Sequence, residues 1–238
     1  MRTNKYKAKL SGFKATPSAN IPKMHEDLEL IKDSNELLSD LFNVILKQNQ
    51  YYGIRWLMGL ERYVLDQSKK IPRIFRKNLS RGHIVEVELF GHFNKELTFL
   101  HPAVVLFDNN KGQLLVAPIT SGKHGDSDPL HIDVDSSDGL HHESGICLEA
   151  IRGVDKNRVL YQHSKDGKNA KVRSEVLDKI DLAVMEHFMP NMFKKFKDAE
   201  IKLIEEQQKN KELMDEIETL KEQLKQSAYQ TAAATLEE

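Results

Sequence analysis

The chain has 238 residues, 39% of them apolar and 30% charged, which suits one or two small cores and long exposed helices. A single cysteine, Cys147, excludes an internal disulfide framework and fits a reducing, cytoplasmic setting. No apolar run approaches the roughly 18 residues that cross a bilayer, and the basic start lacks the apolar stretch of a secretory signal, so neither membrane nor export is expected. The net charge of −1 is unevenly laid out. Residues 1–80 carry 15 Lys+Arg against 8 Asp+Glu, residues 81–190 carry 12 against 17, and residues 191–238 carry 8 against 11. A nucleic acid would be drawn to the first third. A solubilising arm plus a helix face would give the same excess.

In chain order, residues 1–22 read as a flexible basic arm that ends on Pro17 and Pro22. From 23 to 78 the period is helical. Leu28, Ile31, Leu38, Leu41, Phe42, Ile45 and Leu46 recur at three- and four-residue steps, and Ile54, Leu57, Leu60, Tyr63 and Val64 repeat the pattern before Pro72. The period changes after Leu79. "RGHIVEVEL" alternates as a strand with one wet face, and five further short strands follow among Gly, Asn and Asp turns. Several strands in so short a span predict a small antiparallel barrel or sandwich over residues 79–190. "SEVLDKIDLAVMEHFM" is helical, with Ser174 as the expected N-cap. From Phe196 a heptad places Phe196, Leu203, Asn210, Ile217 and Leu224 at a, and Ala199, Glu206, Leu213, Leu220 and Ser227 at d. This predicts a coiled-coil helix over 191–230 and a frayed tail at 231–238.

The segment from Arg81 to about Phe188 resembles the MazF/PemK family of toxins. "RGHIVEVEL", "HPAVVLFDN", "LLVAPITSG" and "HIDV…GLHHESGICLEAIRGVDKNRV" follow one another in the family's order and spacing. The resemblance implies an SH3-like antiparallel β-barrel for this segment; the N-terminal helical region and the C-terminal coiled coil that flank it, read from periodicity alone, lie outside the resemblance and make the whole chain α+β. It also implies a homodimer and a cognate antitoxin protein as partner. The implied activity is endoribonuclease (mRNA interferase) cleavage of single-stranded RNA. The 2′-hydroxyl attacks the scissile phosphate without a metal or other cofactor, which leaves a cyclic phosphate and a 5′-hydroxyl.

By that resemblance Thr120 is the hydroxyl that contacts the scissile phosphate or helps activate the nucleophile, with Ser121 a weaker candidate beside it. A strand-end turn capped by the Thr120 side chain is the structural alternative. The family's catalytic Arg, which stands before the proline, is His101 here. Histidine cannot fork onto phosphate as arginine does, but it shuttles protons near neutral pH. His101 as acid–base, His101 as a structural residue in an inactive protein, and another histidine as the catalyst all stay open. Glu96, Ser121, Lys123 and Arg152 are the expected RNA contacts. Lys95, Lys156 and Arg158 are further cations that could join them, and Phe93 and Phe99 could stack on bases. Glu149, Arg152 and Asp155 also match the family pattern, where Arg152 and Asp155 read more readily as a strand-end ion pair or turn than as catalysts.

A metal site is not expected. His141, His142, Glu143 and Cys147, with His124 and His131 nearby, show no paired-Cys or His-x-x-x-His spacing, and adjacent strand histidines point to opposite faces. The rival to a nuclease is a binding module that keeps the toxin fold without the Arg and holds RNA, DNA or a partner helix. In a further hypothesis, residues 24–66 shield the substrate groove in cis.

Overall fold

Alternating side chains make strands where one face can be buried, and the alternation after Gly82 does so. The computed structural model describes residues 3–70, 75, 77–91, 94 and 96–234, with side chains up to residue 225. Phe93, Lys95 and the last four residues of the tail lie outside these. The chain divides into two units, Met1–Pro72 with Leu89–His92, and Arg73–Glu88 with Phe93–Glu238.

The second unit holds the sheet. Its strands are β1 (Ile84–Glu88), β2 (Leu100–Asp108), β3 (Gln113–Thr120), β4 (His131–Val134), β5 (Ser144–Cys147), β6 (Arg152–Asp155) and β7 (Val159–Gln162), followed by a small hairpin, β8 (Ser164–Lys165) and β9 (Lys168–Asn169). The first seven pair antiparallel in the order β4-β5-β3-β2-β1-β7, with β6 joining β3, and β8 and β9 pair only with each other. The expected closed barrel is not there: β4 and β7 end the path and do not pair with each other. Alternation and turn residues are the same in an open and a closed sheet, so the closure could not be read from them. A 3-10 turn at Leu148–Ala150 separates β5 from β6.

The two faces of the sheet differ. One carries Ile84, Val104, Leu106, Ala117, Ile119, Val134 and Ile146, packed with Val176, Ile180 and Ala183 of α4 (Ser174–Phe188) into the main core. Strand alternation sends Val87, His101, Ala103, Val116, Pro118, Thr120, Gly145 and Cys147 to the other face. Arg173, rather than Ser174, stands at the N-cap of α4. The buried Asp138 carboxylate holds it there, accepting from its backbone N at 2.9 Å and from Nε and Nη2 at 3.0 Å each. A second buried anchor is the ion pair of Lys156 Nζ with Asp108 at 2.7 Å. Asp108 also accepts from the backbone N of Leu79 (3.0 Å) and Asn110 (2.8 Å), and Lys156 donates to the Lys77 carbonyl, so the pair fixes the chain that leads into β1. Burial opposes ionisation of Asp108, but the Lys156 ammonium and the two amides outweigh it and hold its carboxyl below the usual range.

After α4 comes α5 (Pro190–Ala234), a 45-residue helix. It is not the long apolar coiled-coil element expected. Leu213, Ile217 and Leu220 are about half exposed and Leu224 is 70% exposed, with no facing helix among the described residues. Asn210 and Glu206 interrupt the seam with polar side chains, so the heptad match was strongest over Leu213–Leu224.

The first unit is helical: α1 (Thr3–Gly12), α2 (Leu28–Leu46) and α3 (Gln50–Gln67). Where an unstructured arm was expected, α1 is fastened by Lys5 to Glu29 (2.7 Å) and Asp33 (2.8 Å), and by Lys9 to Asp27 and Glu29. The basic residues that suggested an arm are the ones that find acids on the first turns of α2. Asp27 caps α2 through the amides of Glu29 and Leu30, and Asn49 caps α3 through Tyr52. Within the same unit the Phe90 ring packs edge-on against Trp56, 5.3 Å between centroids. Gly59 leaves room for it, since a Cβ there would lie 2.4 Å from Phe90 Cδ2.

Candidate functional site

The expected catalytic residues sit on the sheet face that turns away from α4. His101 is half-buried on β2, opposite Val87 of β1. Thr120 is half-buried at the end of β3, opposite Gly145 of β5. The β2–β3 ladder ends at Ala103 opposite Pro118, two residues after His101 and two before Thr120, so strand parity puts both on one sheet face. Pro102 directly follows His101 and Pro118 lies two residues before Thr120, and without an N–H neither proline can donate to the ladder. The residue before Leu100 adds a constraint. Phe99 is buried and holds a left-handed φ of 66°, costly for an aromatic residue, so the entry into His101's strand is set by packing. Its burial removes Phe99 from the base-stacking role expected of it.

Thr120 begins a 3-10 turn at Ser121–Lys123 but makes no side-chain capping bond to it. The hydroxyl is therefore not used as the strand-end cap that was the structural alternative. Ser121 is exposed on the turn. The turn is pressed onto β5, where a Cβ on Gly145 would lie 2.6 Å from the Lys123 carbonyl oxygen, so only glycine fits opposite Thr120. Lys123 Nζ lies 3.7 Å from the Asp126 carboxylate. Arg152 opens β6 opposite Val116, which puts it on the same sheet face as Thr120. Glu96 is exposed in the β1–β2 connection and belongs to no strand. Of the other expected cations, Lys156 is consumed in the Asp108 pair and Arg158 donates to the Glu88 carbonyl at 3.0 Å. Asp155 caps the turn at Lys156–Arg158 through the Asn157 amide (2.8 Å), a structural use.

Sequence reasoning did not group His131 and Cys147 with Asp126 and Glu149, which the structure brings together. His131, with a side chain only 2% exposed, faces Asp126 at 2.7 Å through Nδ1 and Glu149 at 3.1 Å through Nε2. Burial resists its protonation, but the two carboxylates prevail and raise its pKa above 6.5. Cys147 is its direct cross-strand partner in the β4–β5 ladder. Burial pushes the Cys147 thiol up to about 12. Linear spacing could not show this group, because the strand register joins residues 16 apart.

Residues 80–188 match the family model of PemK-like, MazF-like toxins of type II toxin–antitoxin systems. The crystal structure of MazF (Form-I) from Deinococcus radiodurans aligns at 19% identity and TM-score 0.37, over 46% of this chain and 96% of that one. The Mycobacterium tuberculosis toxin MazF-mt6 aligns at 15% and 0.35, over 44% and 95%. An endoribonuclease in complex with its cognate antitoxin, from Mycobacterial species, aligns at 15% and 0.36, over 47% and 95%. No curated protein sequence matches the chain. No helix among the described residues is long and apolar enough to cross a membrane.

Proposed function

We propose that the sheet unit is a toxin-type endoribonuclease that cleaves single-stranded RNA without a metal in the reaction. The observation that carries the reading is the shared sheet face of His101, Thr120 and Arg152, inside the segment matched to the toxin family. The 2′-oxygen forms a bond to phosphorus and the bond from phosphorus to the 5′-oxygen breaks. One proton leaves the 2′-hydroxyl and one reaches the departing 5′-oxygen. His101 carries one of these protons, the task for which imidazole replaces the family's arginine. The Thr120 hydroxyl, with no capping duty, donates to a non-bridging phosphate oxygen. Arg152 offsets the charge that grows on the phosphorane. Ser121, Lys123 and Glu96 contact the neighbouring nucleotides. An antitoxin protein covers this face in the resting state, and residues 80–188 contribute to a homodimer.

The test is cleavage of a long end-labelled single-stranded RNA by the full chain in EDTA, beside His101→Ala and Thr120→Ala. Cyclic-phosphate ends that vanish in both variants support the reading. A folded wild type that binds RNA and never cuts it, at any pH between about 5.5 and 8.5 around the ordinary imidazole pKa, sinks it. That outcome leaves a binding module on a toxin fold.

A further inference from the structure

The geometry points to a binding site for a zinc-type divalent ion, held by Nε2 of His131, Sγ of Cys147 and the Glu149 carboxylate. It is separate from the proposed cleavage step. One ligand atom from each residue lies within 4.8 Å of the others. Ligands around a tetrahedral zinc stand about 3.5 Å apart, given metal–ligand bonds of about 2.0–2.3 Å. The Nε2–Oε1 distance of 3.1 Å is already within that geometry.

Three further features fit an ion better than a chance meeting of polar groups. First, the ligands sit on rigid elements: His131 and Cys147 oppose each other in the β4–β5 ladder, and Glu149 follows in the 3-10 turn at Leu148–Ala150. Second, Asp126 grips the remaining ring nitrogen of His131 at 2.7 Å. A carboxylate on Nδ1 fixes the tautomer and aims Nε2 outward, the usual arrangement behind a metal-bound histidine. Third, the site is dry on one side and open on the other. Cys147 is fully buried and the His131 side chain is 2% exposed, whereas Glu149 is 43% exposed and gives an ion a way in. An imidazolium between two carboxylates would satisfy His131, but the buried Cys147 thiol beside it donates only a long 3.8 Å contact to the Gly145 carbonyl.

Thiolate with imidazole selects zinc, cobalt and similar ions over magnesium or calcium. Binding releases the thiol proton and the proton on Nε2 to solvent, and a water completes the four ligands. The ion would fasten β4 and β5 to the turn after β5. Through Asp126 it would also order the Ser121–Asp126 loop that follows Thr120.

The test is titration of the chelator-stripped full chain with cobalt(II), read by absorption and without RNA. One equivalent should produce a thiolate-to-cobalt charge-transfer band with strong tetrahedral d–d absorption, and zinc should abolish both. Cys147→Ser should lose the charge-transfer band. Asp126→Asn should keep it with affinity weakened about 10- to 100-fold. Glu149→Gln, at an exposed position, keeps the test decisive if the Cys147 variant misfolds: it should weaken cobalt binding, while His141→Ala with His142→Ala should not. A folded wild type without the thiolate band, or an unchanged cobalt affinity in Glu149→Gln, overturns the site.

Discussion

Replacing Lys156 by Met would strand the Asp108 carboxylate in the sheet unit. The two side chains are 8% and 2% exposed, so this is a buried pair. Removing one partner of a buried pair costs about 3–5 kcal/mol, because a charge is left without its counter-ion. Asp108 keeps the amides of Leu79 and Asn110 at 3.0 and 2.8 Å, which favours the lower end, about 3 kcal/mol. The only cysteine, Cys147, is fully buried in the same unit, so its reaction with a thiol reagent reports opening of that unit alone. With chelator present, Lys156→Met should react roughly 100-fold faster, each 1.4 kcal/mol being tenfold. Asp108→Asn combined with Lys156→Met should recover part of the loss, which a double-mutant cycle measures. Acceleration of less than about fivefold, or under 1 kcal/mol, would refute a buried charged pair. The pH dependence follows the same logic. The Asp108 carboxyl is depressed below its ordinary 3.8, so its contribution is present above pH 3.8 and is lost as the pH falls through the folded value. In acid unfolding followed by circular dichroism, the gap between wild type and Lys156→Met should close in that range.

Gly59→Ala should normally strengthen α3 by about 1 kcal/mol. Here the new Cβ would meet the Phe90 ring at 2.4 Å, so the helical unit should lose about 1–3 kcal/mol. The fluorescence of Trp56, the only tryptophan, should shift with it; a stabilised variant would deny the contact. Gly145→Ala pushes against the Lys123 backbone, which cannot yield as a side chain would. It should cost about 1–3 kcal/mol in Cys147 labelling and displace Thr120, lowering RNA cleavage further than the stability loss explains. His83 is held below its ordinary 6.5 by burial and by Lys171. The neutral form therefore stabilises the fold above pH 6.5 and this is lost as the pH falls below it, so His83→Gln should flatten the acid limb of a thiol-labelling profile.

Local rules carried the strands, since β1 through β3 follow alternation and turn residues that short windows contain. Asn110, with φ 55°, and Gly112, with φ 99°, make one of those Gly and Asn turns, between β2 and β3. Long-range pairing was beyond such windows. Neither the register that sets His131 against Cys147 nor the open ends at β4 and β7 has a local signal. The basic N-terminus misled for the same reason: Lys5 and Lys9 look solvated until their acids on α2 are in place. Phe99 looked like a stacking residue because burial at a left-handed φ has no sequence signature in an aromatic. Thr120 and Arg152 were candidates by motif alone, and the strand parity that gives them one face with His101 needed the observed ladders.

The helical unit is not contiguous in the chain, and this has a consequence during synthesis. Ribosomes add about 5–20 residues per second, so the end of α3 at Gln67 precedes Phe90 by roughly one to five seconds. For that interval Trp56 lacks its ring partner and Gly59 faces an empty place. The helices therefore begin folding first and finish after β1 has been made. A nascent chain arrested before Leu89 should be more open to proteases around α3 than one arrested a few residues later.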